Sequence, residues 1–213
     1  MTFEIALPRI LDLAILMLVL PIACLLMLIF LPFVFLSDFR NPLFIQKRLG
    51  KNKQEFYLIK IRTMSVDAES ETGAIWARPN DERVTPVGRL LRKYWIDELP
   101  QLVNILLGQL SFVGPRPIRG VMAERIAEHD PEYHLRFLVT PGLTGLAQVF
   151  APYGSNLSEQ LEKGYWDRQW VKCSSMKLYF LTLFWTLLKL SSQNRWLERI
   201  KSQNISNLNQ HKF

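Results

Sequence analysis

Asp97 and Glu98 stand side by side, with Arg89, Arg92 and Arg116 close by in sequence. An ionised carboxylate can hold a divalent cation, or attack phosphorus to form an acyl phosphate, so this neighbourhood suits phosphate chemistry. The string Asp97-Glu98-Leu99-Pro100-Gln101 opens a predicted helix that runs through Leu107, with Asp as its N-cap and Pro in its first turn. The positive end of a helix keeps an acid ionised and receives phosphate groups. Neighbouring helical residues point about 100° apart, so the two acids could divide the metal and nucleophile roles. Spacing alone favours a simpler reading, in which Asp97 caps the helix and Glu98 enriches its first turn.

Other chemistries lack their residues. The chain has no Gly-rich phosphate loop and no Gly-x-Ser-x-Gly elbow, and His129, His134 and His211 have no companions spaced as zinc ligands. Cys24 and Cys173, the two cysteines, make no disulfide framework.

The elements that must position the dyad begin with an apolar run. From Leu13 to Leu36 no side chain is charged, which is long enough to reach across a bilayer. Pro21 and Pro32 interrupt it, and the pattern alone favours a kinked spanning helix over one that breaks, dips into one leaflet and returns. Only Arg9 precedes the run as a cation and no small-x-small site closes it, so it reads as retained rather than cleaved. Arg40, Lys47, Arg48, Lys51, Lys53, Lys60 and Arg62 follow, contributing to a net charge of +7. Basic residues beside a membrane segment meet anionic headgroups on the cytoplasmic face, and here that reading outweighs nucleic acid as the partner.

A β-hairpin is predicted from Leu43–Arg48 and Glu55–Arg62, joined at Gly50-Lys51-Asn52-Lys53. Lys60 and Arg62 share a strand face on which they are either anion ligands or solvated edge residues. Met64–Arg83 reads as a long loop, and Val87–Trp95 as a helix. Pro131 divides a helical region around residues 119–138, and Pro141-Gly142-Leu143-Thr144-Gly145 reads as a turn-rich loop. In the last long element, Lys177–Leu190, Thr182, Thr186 and Lys189 form a narrow polar stripe on an otherwise apolar helix too short to span. It is expected in the interface or the core, and the tail from Ser191 to Phe213 is polar and basic.

Five strings occur in order: Lys60-Ile61-Arg62-Thr63-Met64, Val84-Thr85-Pro86-Val87-Gly88-Arg89, Asp97-Glu98-Leu99-Pro100-Gln101, Ser111-Phe112-Val113-Gly114-Pro115-Arg116-Pro117, and Pro141-Gly142-Leu143-Thr144-Gly145-Leu146-Ala147-Gln148-Val149. Together they resemble the bacterial sugar transferase family, the monotopic phosphoglycosyl transferases in their small form, from about Arg9 to Leu190. The resemblance implies an α+β, mainly α fold. Residues 1–40 would be a re-entrant membrane helix broken at Pro21, residues 41–190 a cytoplasmic catalytic domain, and residues 191–213 a tail.

It also implies transfer of a sugar-1-phosphate from a UDP-sugar to a polyprenyl phosphate, typically undecaprenyl phosphate, at the bacterial inner membrane. Asp97 would be the nucleophile and would expel UMP. Glu98 would help place Mg²⁺, and Arg92 and Arg116 match the family's phosphate-site arginines. Lys60, Arg62, Gln148 and Asp167 complete the expected substrate-binding set. Further partners would be inner membrane lipids, a second copy or downstream glycosyltransferases. The competing reading is a catalytically silent membrane scaffold for glycan assembly, which would have lost the dyad or the arginines. The chain departs from the family at Leu20 (usually Ser), Pro32, Thr140, Phe150-Ala151-Pro152 and Gln169-Trp170, all outside the dyad.

Overall fold

Three prolines fail to stop the first helix. In the computed structural model, which describes residues 3–70, 73–78, 80–152 and 154–191, α1 runs uninterrupted over Phe3–Asp38 through Pro8, Pro21 and Pro32. The predicted break at Pro21 is therefore absent as an interruption. A proline deletes one backbone bond of the ladder, and an apolar surround leaves the remaining bonds no competing water. Exposed along α1 are Met17, Leu18, Ile22, Leu25, Leu28 and Phe33, an apolar face with no protein cover.

Both ends of α1 are fastened to the rest of the chain. Near the start, Arg9 donates from Nη1 to Ile105 O (2.5 Å) and from Nη2 to Leu106 O (2.7 Å). Those carbonyls end α3 (Gln101–Leu106), so a cation neutralises a helix C-terminus. One turn on, the buried Asp12 accepts from Ser111 Oγ (3.0 Å), Phe112 N (2.9 Å) and Tyr179 Oη (2.7 Å). Near its end, Val34 packs with Ile61 and Leu91, and Arg62 grips Asp38 through both guanidinium Nη atoms at 2.5 and 2.6 Å.

The hairpin forms as read: β1 (Leu43–Leu49) pairs antiparallel with β2 (Glu55–Ile61) around a 3-10 turn at Lys51–Lys53, where Asn52 and Lys53 take positive φ. The free edge of β2 is closed by a side chain, since Asn104 of α3 accepts from Ile59 N (3.2 Å) and donates to Tyr57 O (2.8 Å). The long loop after β2 is pinched at its base by a bridge between Met64 and Val84. α2 (Pro86–Lys93) follows, capped by the Thr85 side chain on Gly88 N at 2.9 Å.

β3 (Ser111–Val113) lies parallel to β4 (Gly142–Thr144). This corrects the reading of residues 141–145 as loop. Glycines allow it: a Cβ on Gly142 would lie 2.0 Å from Gly114 N, and one on Gly145 2.2 Å from Gly114 O. α4 (Gly120–Ala127) and a 3-10 stretch at Pro131–Leu138 lie on either side of Pro131, as expected. α5 (Leu146–Phe150) follows, then α6 (Leu157–Cys173), a helix the sequence reading missed. Its start is a reciprocal cap: Asn156 accepts from Glu159 N, while Glu159 accepts from Gly154 N and Ser155 N.

α7 (Met176–Ser191) is turned inside out. Its polar stripe points inward: Thr182 and Thr186 are buried, Thr186 hydrogen-bonds Thr144 (2.8 Å), and Lys189 Nζ donates to Gln148 O (2.6 Å) and Val149 O (3.2 Å). Phe180, Phe184, Leu187 and Leu190 are left exposed. The predicted polar tail lies outside the described residues from 192 onward.

Because Asp12 satisfies three buried donors at once, its loss strands all of them. Asp12→Ala is expected to cost at least about 3 kcal/mol, and Tyr179→Phe, which removes one donor and leaves the acceptor two others, about 1 kcal/mol. Unfolding by denaturant in a single detergent checks the ranking.

Candidate active site

Pro100 shapes the turn that carries the dyad. It has no N–H to give Ile96 O, so the ladder of α3 cannot extend backward through it. Leu99 N bonds Ile96 O instead (3.2 Å), and Ile96–Glu98 tighten into a 3-10 turn that Trp95 enters with φ 58°. Asp97 is thus neither the N-cap nor a residue of α3, which corrects the expectation that it caps the helix. Its field comes from side chains rather than from a helix end.

The two acids have opposite surroundings. Glu98 Oε1 receives Lys60 Nζ at 3.0 Å and the Nη2 of Arg116, while Arg116 Nη1 lies 3.3 Å from Oε2. Burial would raise its pKa, but the charges of Arg116 and Lys60 outweigh burial and hold Glu98 well below the usual carboxylate range. Asp97 is 7% exposed, and among the described residues no hydrogen bond reaches its carboxylate. Burial pushes its pKa up, aided by Glu98 and opposed by Lys60, Arg92 and Arg116. One carboxylate is neutralised in place; its neighbour is held in reserve within the same cationic field.

Each cation is positioned from a different element. Lys60 comes from β2, and burial lowers its pKa against the pull of Glu98. Arg92 of α2 donates from Nε to Thr63 Oγ1 at 2.8 Å. α2 approaches residue 63 this closely because residue 88 is glycine; a Cβ there would lie 2.2 Å from Thr63 O. Arg116 follows β3, whose end is stitched to β4 by Gly114 N to Thr144 O (2.8 Å) and Gly142 N to Pro115 O (2.9 Å). Its own carbonyl accepts Arg136 Nη2 at 2.5 Å, and Arg136 is paired with Asp167 at 3.0 Å, both side chains about 5% exposed or less.

Four of the expected site residues besides Asp97 therefore meet at the dyad: Glu98, Lys60, Arg92 and Arg116. Arg62 is engaged by Asp38, at the end of α1. Asp167 sits behind Arg136, and burial raises its pKa to about 6 against the pull of Arg136. Gln148 is on α5, with both polar side-chain atoms buried and without a partner among the described residues. Arg136 escaped the sequence reading, while Thr63 was read only as part of a family string and Arg48 only as one of the cations after the apolar run. Arg136 carried no local signal, because its partner lies 31 residues away on a helix that had not been recognised.

Two adjacent carboxylates suit Mg²⁺, which takes one or two protein carboxylates and completes its shell with phosphate oxygen and water. Among the described residues the Asp97 oxygens, though buried, accept no hydrogen bond, and Glu98 Oε2 carries one long contact, so the donor set fits. Among the described residues no cluster of three or more His, Cys, Asp or Glu side chains could hold a metal elsewhere.

Paired carboxylates among a lysine and two arginines have the charge arrangement that suits a phosphorylated ligand, and α1 exposes an apolar face of the kind that suits a membrane. The bacterial sugar transferase family matches residues 3–193, and the chain belongs to it. It is 37% identical to a UDP-N-acetylgalactosamine-undecaprenyl-phosphate N-acetylgalactosaminephosphotransferase of Aeromonas hydrophila, over 68% of this chain and 34% of that protein. It is 47% identical to a UDP-glucose:undecaprenyl-phosphate glucose-1-phosphate transferase of Caulobacter vibrioides, over 50% of this chain and 40% of the relative. The enzyme of that same description in Escherichia coli is 36% identical over 80% of this chain and 37% of its own length. The chain thus spans between about a third and two fifths of the length of these relatives.

The contrast between the acids sets the sign of two substitutions. Glu98 has a folded pKa below its unfolded value, so it stabilises above the ordinary range and loses that contribution as pH falls. Asp97 has a folded pKa above its unfolded value, so its ionisation opposes folding as pH rises through that window. At neutral pH, Glu98→Gln is expected to destabilise by about 3 kcal/mol, and Asp97→Asn to raise the unfolding midpoint. Thermal unfolding of the three proteins in one detergent reads both signs.

Proposed function

We propose that this chain transfers a sugar-1-phosphate from a UDP-sugar to undecaprenyl phosphate, releasing UMP and leaving a polyprenyl-diphosphate sugar. The observation that carries this reading is the open carboxylate of Asp97 inside the field of Lys60, Arg92 and Arg116. An Asp97 oxygen attacks the sugar-bearing phosphorus. The bond from that phosphorus to the bridging oxygen breaks, and UMP leaves with the electron pair. An oxygen of the lipid phosphate then attacks the same phosphorus, and the bond to Asp97 breaks, which restores the carboxylate. No proton has to move at the reacting phosphorus in either step. The protein's task is positioning and charge neutralisation. Mg²⁺, held by Asp97 and Glu98, would supply further neutralisation of the diphosphate.

The same reading places the site at the cytoplasmic face of the inner membrane. α1 would extend about 54 Å if straight, well beyond a hydrocarbon core. Yet Arg9 and Asp12 at one end, and Val34 and Asp38 at the other, hold one domain. A helix that crossed the bilayer would divide those contacts between its two sides. On this reading α1 therefore bends inside the membrane at one of its prolines, with its helical ladder continuous and both ends on one side, and the exposed apolar face of α7 rests in the same leaflet. With Cys24 and Cys173 replaced, single cysteines at Glu4 and Phe39 are expected to react with an impermeant thiol reagent only from the cytoplasmic side. Labelling of one from each side would mean a spanning helix.

Wild-type protein in nanodiscs with Mg²⁺ and undecaprenyl phosphate is expected to release UMP from at least one of a panel of UDP-sugars. Asp97→Asn should lower that release at least about a thousandfold. The acid limb of the kcat/KM profile should lie above the ordinary aspartate value of 3.8, because burial raises this group. Folded, membrane-bound protein that releases no UMP from any donor would favour the scaffold instead, and full activity in the variant would remove Asp97 as nucleophile.

A further inference from the structure

Two further guanidinium side chains, Arg48 and Arg119, lie beside Arg116 and make no hydrogen bond to the dyad among the described residues. The end of β1 is bonded to the segment that carries Arg116: Leu49 N donates to Ile118 O (2.8 Å), and Arg48 Nη1 reaches Pro117 O (3.4 Å). Arg48, Arg116 and Arg119 are thereby gathered around one short stretch of chain. Arg48 Nε is buried without a partner, a donor withdrawn from water with nothing in exchange. Its pKa is lowered to about 10 by burial and by the like charges of Arg116 and Arg119, with Glu69 and Glu98 pulling the other way.

Arg119 is held in a way that a better ligand could replace. Both oxygens of Glu69 rest on its Nη1, each at 2.8 Å, so one nitrogen serves two acceptors. The favoured arrangement is a fork that places each oxygen on its own N–H. The remaining nitrogens of Arg119 make no hydrogen bond among the described residues, and the side chain is 26% exposed. α4 starts immediately after it with no side-chain cap, so the positive end of that helix adds to the field.

Clustered cations, a buried orphan donor and a poorly matched carboxylate together describe a phosphate seat with a stand-in. We propose that Arg48 and Arg119 form a second phosphate subsite, which holds the phosphate of the departing nucleoside monophosphate while Arg116 and Lys60 serve the phosphorus under attack, and that Glu69 occupies Arg119 until that phosphate arrives. This rests on the transfer reading above and extends it from one phosphate of the donor to both. The subsite stabilises the leaving group where negative charge grows as the bridging bond breaks.

The test uses the full chain in nanodiscs, with UMP and uridine as probes by titration calorimetry. Wild type is expected to bind UMP more tightly than uridine. Arg48→Gln and Arg119→Gln should each weaken UMP by about 10- to 100-fold and leave uridine within about twofold. Glu69→Gln should act in the opposite direction and tighten UMP, because it removes the competitor from Arg119. If Arg48→Gln does not fold, Arg48→Lys keeps the charge without the fork, and a smaller loss in UMP affinity is expected. Should Glu69→Gln weaken UMP as much as Arg119→Gln does, the pair is a strut for its loop and the subsite is refuted. An unchanged preference for UMP over uridine in both arginine variants refutes it equally. In either case UMP release by wild type would leave the transfer reading standing, whereas absence of release from every UDP-sugar would remove that reading first.

Discussion

Lys60 and Arg116 arrive from elements that share no secondary structure, and they meet on the carboxylate of Glu98. The organisation of the site follows from that meeting. Without an ionised Glu98, a lysine on β2 and an arginine after β3 would repel each other. With it, the two cations are held at the distance that also brackets Asp97. Even a partly buried ion triad is rarely the most stable solution available to a fold, since well-packed apolar residues often do as well or better. Its effect here is positional: it fixes two cations beside a second carboxylate, Asp97, whose ionisation burial disfavours.

α7 shows a second constraint at work. A helix in water turns its threonines and lysine outward and its phenylalanines inward. This one does the reverse, burying Thr182 and Thr186 and exposing Phe180 and Phe184. Such an arrangement costs little only where the outside is apolar too. α1 exposes its own apolar residues in the same way. The two helices together account for much of the uncovered hydrocarbon of the chain, and they explain why its acids and cations are gathered on the remaining elements.

Much of this was legible in the sequence where the signal was local. The hairpin, α2, the division at Pro131 and the limits of α7 follow from turn residues, caps and hydrophobic spacing, and the ordered strings pointed to the dyad and to Lys60, Arg92 and Arg116. What escaped was settled at a distance. The strand Gly142–Thr144 reads as loop because its glycines mean turn locally, whereas their use is to let Gly114 come close. Asp97 looks like a cap, until the missing N–H of Pro100 shifts the helix start beyond it. Arg62 has the spacing of a partner for Lys60 but is claimed by Asp38, 24 residues upstream. The inward turn of the threonine stripe could not be read at all, because periodicity gives a face and not what the face meets.

The membrane helix and the chemistry share their fastenings. Asp12 holds Ser111 and Phe112, the first two residues of β3, and four residues beyond Phe112 the chain reaches Arg116. Arg9 holds Ile105 and Leu106 at the end of α3, whose other end follows the turn of Asp97 and Glu98. A shift of α1 along its axis would therefore pull on the arginine and on the dyad through separate short lever arms. The two elements cannot move independently, since both are referred to one turn of one helix. Under the proposed transfer this coupling would matter, because the depth of the helix in the leaflet would set the height of Asp97 above it.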